Sequence, residues 1–335
     1  MTAYGALVTL GAALLLVAVV GLFVYLGPGP KALQGASTTV VLPSGAGVAE
    51  IASDLRRGGV IGSNTAFVLA AEVTGAAHKL KAGEYAFPSR ASLHSVITAV
   101  AEGRVVRHFV TIPEGVTSQV VMETLMRAEY LTGVVAAPAE GAVLPETYEV
   151  RRGDDRSAVL RRMIEARDKD LAELWAHRSP GLPYRTPEDA VTLASIVEKE
   201  TAKPDERPRI AAIFINRLRA GMRLESDPTT VYGLTGGRPL GHGLRVSELQ
   251  SQTPYNTYVI PGLPPTPIAN PGRASLAAAL DPLNTNELYF VADGTGGHVF
   301  SSTLAEHQQN VAKWRAIEAR RNCEAQPPPG KPAAC

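Results

Sequence analysis

From Met1 to Pro30 the chain carries no Asp, Glu, Lys, Arg or His, and within that stretch Ala6–Leu26 is apolar apart from Thr9 and two glycines. At ~1.5 Å per residue such a run covers roughly the 30 Å hydrocarbon thickness of a bilayer. A core helix of a soluble domain is seldom apolar on every face over this length. The run also exceeds the ~7–15 residue apolar region of a signal peptide. An uncleaved anchor is therefore preferred over a cleaved signal peptide. Charge says little about direction, because only the α-amino group precedes the run and Lys31 follows it. The large body after the anchor argues for its placement outside the cytoplasm.

The chain is 335 residues long, enough for about two domains, and its 45% hydrophobic share is that of a folded protein. A net charge of +1 removes the electrostatic argument for a nucleic-acid partner, and 6% aromatic residues leave little for a base-stacking surface. Cys323 and Cys335, the only cysteines, lie in the Pro-rich tail. They are too few for a zinc set; a disulfide and two unpaired thiols both fit.

After a Gly/Pro linker (residues 27–38), two similar segments start 70 residues apart, VVLPSGAGVAEIASDL at Val40 and VTIPEGVTSQVVMETL at Val110. Each reads as a β-branched strand, a Pro-x-Gly turn and an amphipathic helix. AGEYAFPSRASLHSVITAVAEG from Ala82 repeats that order. From Leu144 the texture changes to a strand-like LPETYEV and a long charged helix over Arg152–His177.

TPEDAVTLASIVEKET is the most informative stretch. Thr186 is a good N-cap, Pro187 suits the first helical position and Asp189 can close a capping box, which predicts a helix from Pro187 to about Thr201. At about 100° per residue Glu200 falls with Leu193, Ile196 and Val197 in the apolar sector, Glu198 lies at its edge and Lys199 faces away. Burial and the negative end of the helix dipole would both hold the Glu200 carboxyl protonated near neutral pH, as a general acid requires. A last-turn Glu200 escaping to solvent, or a Glu198 paired with a neighbouring cation, fits the pattern as well.

A helix is expected over Pro208–Leu218, then a long turn-rich region containing Asp227-Pro228-Thr229-Thr230, Tyr232-Gly233 and Tyr255-Asn256-Thr257-Tyr258. Its hydroxyls, amides and tyrosines suit a groove for a neutral polar polymer such as a glycan; ordinary surface loops are the plainer alternative. A short helix (Ser275–Leu280), strands at Glu287–Ala292 and His298–Ser301, and a helix over Thr303–Ala319 complete the body. His242 and His298 have no companions that would make a metal site or a triad, and no G-x-S-x-G, Walker or dinucleotide fingerprint occurs.

Taken together, LPETY, ASIVEKET, FINRL, GMRLESDPTTVYG, YNTY, GLPPTPIANPG and LYFVADGTGGHVFSSTLAEH resemble the endolytic peptidoglycan transglycosylases, the membrane-bound type G lytic transglycosylases. The likeness covers about nine-tenths of the chain and implies an α+β protein. Its parts are a short head (1–5), a single transmembrane helix (6–26), the linker, a LysM-like β-α module (39–108) and a second β-α unit (109–143). A mixed α/β catalytic domain with a lysozyme-like helical element (144–320) and the tail (321–335) follow. It further implies an inner-membrane enzyme with a periplasmic body that cuts nascent glycan strands between N-acetylmuramyl and N-acetylglucosaminyl units, leaves 1,6-anhydro ends and limits strand length. No cofactor or metal is implied; the partners are peptidoglycan strands, the membrane and peptidoglycan synthases or penicillin-binding proteins.

The family's catalytic glutamate falls in IVEKET. Glu200 is assigned, because its Glu-Thr step is similar to the Glu-Ser of broader lysozyme-like transglycosylases, with Glu198 as runner-up. Ser226, Asp227, Thr229, Tyr255, Asn256 and Tyr258 are the candidate sugar contacts. The rival reading is a non-catalytic, membrane-anchored peptidoglycan-binding scaffold in which both glutamates make structural ion pairs.

Overall fold

The computed structural model describes residues 2–33 and 35–325, and most of the Pro-rich tail, with Cys335, lies outside them. The chain divides into two compact units, one of residues 1–109, 130–132 and 149–154, the other of the remaining residues.

The smaller unit begins with α1 (Thr2–Leu26), whose Leu7–Leu26 segment is long and apolar enough to cross a membrane. It continues with β1 (Ser37–Leu42), α2 (Val48–Arg57), α3 (Asn64–Val73), β2 (Gly83–Pro88) and α4 (Leu93–Glu102). β1 and β2 pair antiparallel, from Ser37 opposite Pro88 to Leu42 opposite Gly83. Leu42, Leu55, Phe67, Tyr85 and Val96 fill the core beneath this ribbon. α3 was not foreseen from the sequence, although it has a regular start: the Ser63 hydroxyl accepts from the Ala66 N–H, 3.3 Å.

β3 (His108–Thr111), α5 (Ser118–Arg127) and β4 (Thr147–Val150) follow, and β3 pairs with β4. The two similar segments do fold alike locally. Leu42 and Ile112, Ile51 and Val121, and Leu55 and Leu125 are all buried, and Gly45 and Gly115 both sit at positive φ, 83° and 74°, where glycine removes the Cβ penalty.

The larger unit is built around α6 (Arg156–Ala176), α7 (Pro187–Glu200), α8 (Arg207–Arg219), α9 (Asp227–Thr235), the single turn α10 (Val246–Leu249) and α11 (Arg273–Leu280). A hairpin of β5 (Tyr289–Ala292) and β6 (His298–Ser301) leads into α12 (Leu304–Ala325). α7 lies against α8 and α11, with Leu193, Ile196, Ile210, Phe214 and Leu276 in one core. Each such side chain contributes about 1.5–3 kcal/mol by burial.

Two expectations are corrected here. The segment from Asp227 is a helix, not a run of turns; Pro228 stands in its first turn and Gly236 closes it at positive φ. α7 is not amphipathic either, since every residue from Ala190 to Val197 is buried. The buried run stops at Val197, and both acidic residues beyond it are half-buried.

Candidate active site

The cap of α7 forms as its sequence dictates. Thr186 Oγ1 accepts from the Asp189 N–H (3.2 Å), and Asp189 Oδ2 accepts from the Thr186 N–H (3.0 Å). At the other end Thr201 Oγ1 donates to Glu206 (3.1 Å), whose carboxylate also takes the His298 backbone N–H (3.0 Å) and contacts its Nδ1 (2.7 Å). The chain leaving Glu200 is thus fastened to β6.

The two glutamates have opposite surroundings. Glu198 accepts from the Arg207 guanidinium at 3.1 Å and from the Gly272 N–H at 2.9 Å, and Arg207 also reaches Glu114 at 3.1 Å. A Cβ at Gly272 would fall on the Glu114 carboxylate, so a side chain there would push the exposed Glu114 away from Arg207. Glu200 makes no ion pair among the described residues; its Oε1 accepts from the Ser226 hydroxyl at 2.5 Å. Burial is the main cause that lifts its carboxyl from 4.5 to about 7, opposed by the Ser226 bond and by Arg217, and assisted by the negative charge of Asp227.

The placement of Ser226 is determined by a buried frame. Arg217, on α8, donates to the carbonyls of Leu288 (2.7 Å) and Leu224 (2.8 Å) and pairs with Glu225 (3.3 Å). Glu225 sits at φ 52°, a left-handed conformation costing about 1 kcal/mol or more for a residue with a side chain. Its N–H is taken by the Thr257 carbonyl (3.2 Å), the Ser226 N–H by Thr257 Oγ1 (3.0 Å), and the Ser226 carbonyl accepts from Thr229 Oγ1 (2.6 Å).

Of the candidate sugar contacts, Ser226, Asp227 and Tyr258 gather around Glu200: the Tyr258 hydroxyl donates to the exposed Asp227 carboxylate at 2.7 Å. Burial, and then that bond, push the Tyr258 hydroxyl far above its ordinary value. Thr229 and Asn256 do not line a surface. Both are fully buried, and Asn256 is spent on Thr230 Oγ1 (2.9 Å), the Leu249 and Ser251 carbonyls (2.9 and 2.8 Å) and the Tyr258 N–H (3.1 Å). They are braces. Tyr255 stands apart, edge-on to Tyr232 (4.8 Å) and bonded to Thr266 (2.8 Å).

Glu140 was missed by sequence reasoning. Its half-buried carboxyl, raised by burial, accepts from the Ser118 N–H (2.8 Å), Asn270 (3.2 Å) and the Tyr232 hydroxyl (3.2 Å). Lying in an irregular segment without periodicity, it gave no signal. Among the described residues no three His, Cys, Asp or Glu side chains are grouped to hold a metal ion.

The model of the YceG-like family matches residues 40–313, most of the chain and all of this site. The chain belongs to the YceG-like family. Over 320 residues it is 31% identical to the endolytic murein transglycosylase of Bacillus subtilis, covering 85% of this chain and 86% of that protein. It is 27% identical to the endolytic murein transglycosylase of Streptococcus pneumoniae D39 over 82% of this chain and 58% of that longer protein. The crystal structure of a YceG-like protein from Listeria monocytogenes aligns with 82% of the chain and 99% of its own at a TM-score of 0.50 and 29% identity.

Proposed function

We propose that this family member is an endolytic murein transglycosylase that cleaves N-acetylmuramyl–N-acetylglucosaminyl bonds of nascent strands without water, with Glu200 as its acid and base. The observation that carries this reading is the half-buried Glu200 carboxyl, hydrogen-bonded to Ser226, without an ion pair among the described residues, and raised to about 7. Glu198 has the cationic partner expected of a structural glutamate. The names of the relatives support the activity class, endolytic murein transglycosylase.

Protonated Glu200 gives its proton to the glycosidic oxygen, and the glucosaminyl end departs as an alcohol. Positive charge grows at C1 of the muramyl ring, as in other glycosidic cleavages. The C6 hydroxyl of that ring attacks C1, and the Glu200 carboxylate takes the hydroxyl proton. One C1–O bond breaks, one forms, and the acid is regenerated. Asp227 lies on the approach to Glu200 as a negative charge suited to the developing cation, while Ser226 fixes the carboxyl.

The limited length of murein strands would follow from cutting within them. We read α1 as an uncleaved anchor with the body on the periplasmic side, the smaller unit as a LysM-like glycan-binding module, and peptidoglycan synthases as partner proteins. The deciding experiment is digestion of isolated glycan strands by wild type and Glu200→Gln, with mass spectrometry of the new ends. Anhydro-muramyl ends from wild type and none from the variant are expected. Hydrolytic reducing ends, or equal activity in Glu200→Gln, would overturn the assignment.

A further inference from the structure

The apolar surface of the smaller unit does not stop at α1. α3 carries a single charge, Glu72, and its Leu69 and Val73, one turn apart, are 63% and 79% exposed. Between this face and the last turns of α1 runs a groove of about 500 Å³, with Ala18, Gly21 and Leu22 on one wall and Ala66, Leu69 and Val73 on the other. Small residues on a membrane helix normally admit a close neighbour. Here a Cβ at Gly21 would meet nothing within 4 Å, so the space beside it is open.

The position of the groove along α1 says what fills it. Tyr25, at the end of the Leu7–Leu26 span, bonds through its hydroxyl to His94 Nδ1 at 2.8 Å. An amphipathic ring with a polar partner belongs at the membrane–water boundary. Ala18 is seven residues earlier, ~10 Å deeper along a helix normal to the membrane. The α3 face opposite it is therefore below the boundary, at the ~5–10 Å depth where interfacial helices rest.

We propose that α3 dips into the leaflet from which α1 emerges, with lipid acyl chains filling the α1–α3 groove and covering Leu69 and Val73. The smaller unit is then held to the bilayer at two places, and its face toward the membrane is fixed instead of swivelling on the linker. This inference rests on the reading of α1 as an uncleaved anchor.

The test uses the full chain with Cys323→Ser and Cys335→Ser, reconstituted at one copy per phospholipid nanodisc, with an environment-sensitive fluorophore on a single introduced cysteine. Leu69→Cys and Val73→Cys report on the groove, Leu15→Cys on the anchor, and Glu50→Cys, exposed on α2, on water. Labels at 69 and 73 are expected to be quenched by nitroxides on lipid tails and to resist aqueous iodide about fivefold better than the label at 50, as a lipid-buried site does. Iodide quenching at 69 and 73 equal to that at 50, with the label at 15 in lipid, overturns the inference and leaves the anchor standing. Protection from iodide without quenching by lipid nitroxides means a protein cover and also overturns it. A label at 15 in water removes the anchor reading itself.

Discussion

Glu198 and Glu200 are two residues apart on one helix, are both half-buried, and are handled in opposite ways. Glu198 is met by Arg207 and a backbone N–H, so its negative charge is balanced where it sits. Glu200 is met by one hydroxyl, with Arg217 pulling its acidity one way and Asp227 the other. Burial alone therefore does not make a proton donor. On the proposed reading, what separates a bracing Glu198 from a reactive Glu200 is whether the fold also supplies a cation at bonding distance.

The largest expected effect tests that contrast at Glu200. Glu200→Gln should lower the rate of strand cleavage by about 10³-fold, within the range for a lost acid–base group, while the protein stays folded. Its stability should move the other way. The folded protein keeps a proton on Glu200 that the unfolded chain gives up between about pH 4.5 and 7, so wild-type stability falls through that window and is flat above it. Gln never ionises and still accepts from Ser226. Thermal melts at pH 8 should show Glu200→Gln more stable, by on the order of 3 kcal/mol; equal melts at pH 8 would mean that folding does not raise the Glu200 pKa.

Glu198→Gln should show the reverse pattern. Arg207 is buried and, among the described residues, would keep only the exposed Glu114 as its counter-ion, a loss of about 3 kcal/mol for a broken buried pair. Urea denaturation at pH 7 measures it, and cleavage per folded molecule should stay within about threefold of wild type, a change near 0.7 kcal/mol in the barrier. A collapse of cleavage with unchanged stability would exchange the roles of the two glutamates.

How much of this contrast was legible beforehand follows from the range of each interaction. The Thr186–Asp189 box spans three residues and could be read directly. The inward direction of Glu200 came from helical period. The partners of Glu198 could not be read, because Arg207 starts another helix and Gly272 is 74 positions away. The same limit explains the error at Thr229 and Asn256, polar residues among prolines and glycines that look like groove lining but are spent on each other's loops. α9 was hidden by its composition. Three threonines and an internal glycine are poor helix formers, yet Gly233 is the position where Thr253 packs so closely that a Cβ would collide with it. There tertiary structure overrides local preference.

Two smaller effects, opposite in sign, sharpen the comparison further. If protonated Glu200 starts the reaction, cleavage should decline as pH rises through about 7. The negative charge of Asp227 raises the Glu200 pKa, so Asp227→Asn should move that decline to lower pH and reduce kcat more than it raises KM. The variant can still accept from Tyr258, so the loop should keep its shape. A rise in KM alone would make Asp227 a sugar contact only.

Ser226→Ala is the gentlest test. Its hydroxyl favours the ionised carboxylate, so removing it lets burial act unopposed by that bond and should move the decline to higher pH. Lost fixation of the carboxyl should cost about threefold to tenfold in kcat at low pH, equivalent to one neutral hydrogen bond of roughly 0.5–1.5 kcal/mol. The Ser226 backbone bonds to Thr257 and Thr229 do not involve the hydroxyl, so the melting temperature should change little. Shifts of the pH profile in the same direction for Asp227→Asn and Ser226→Ala would mean that neither acts on Glu200 in the way that the geometry of this pair requires.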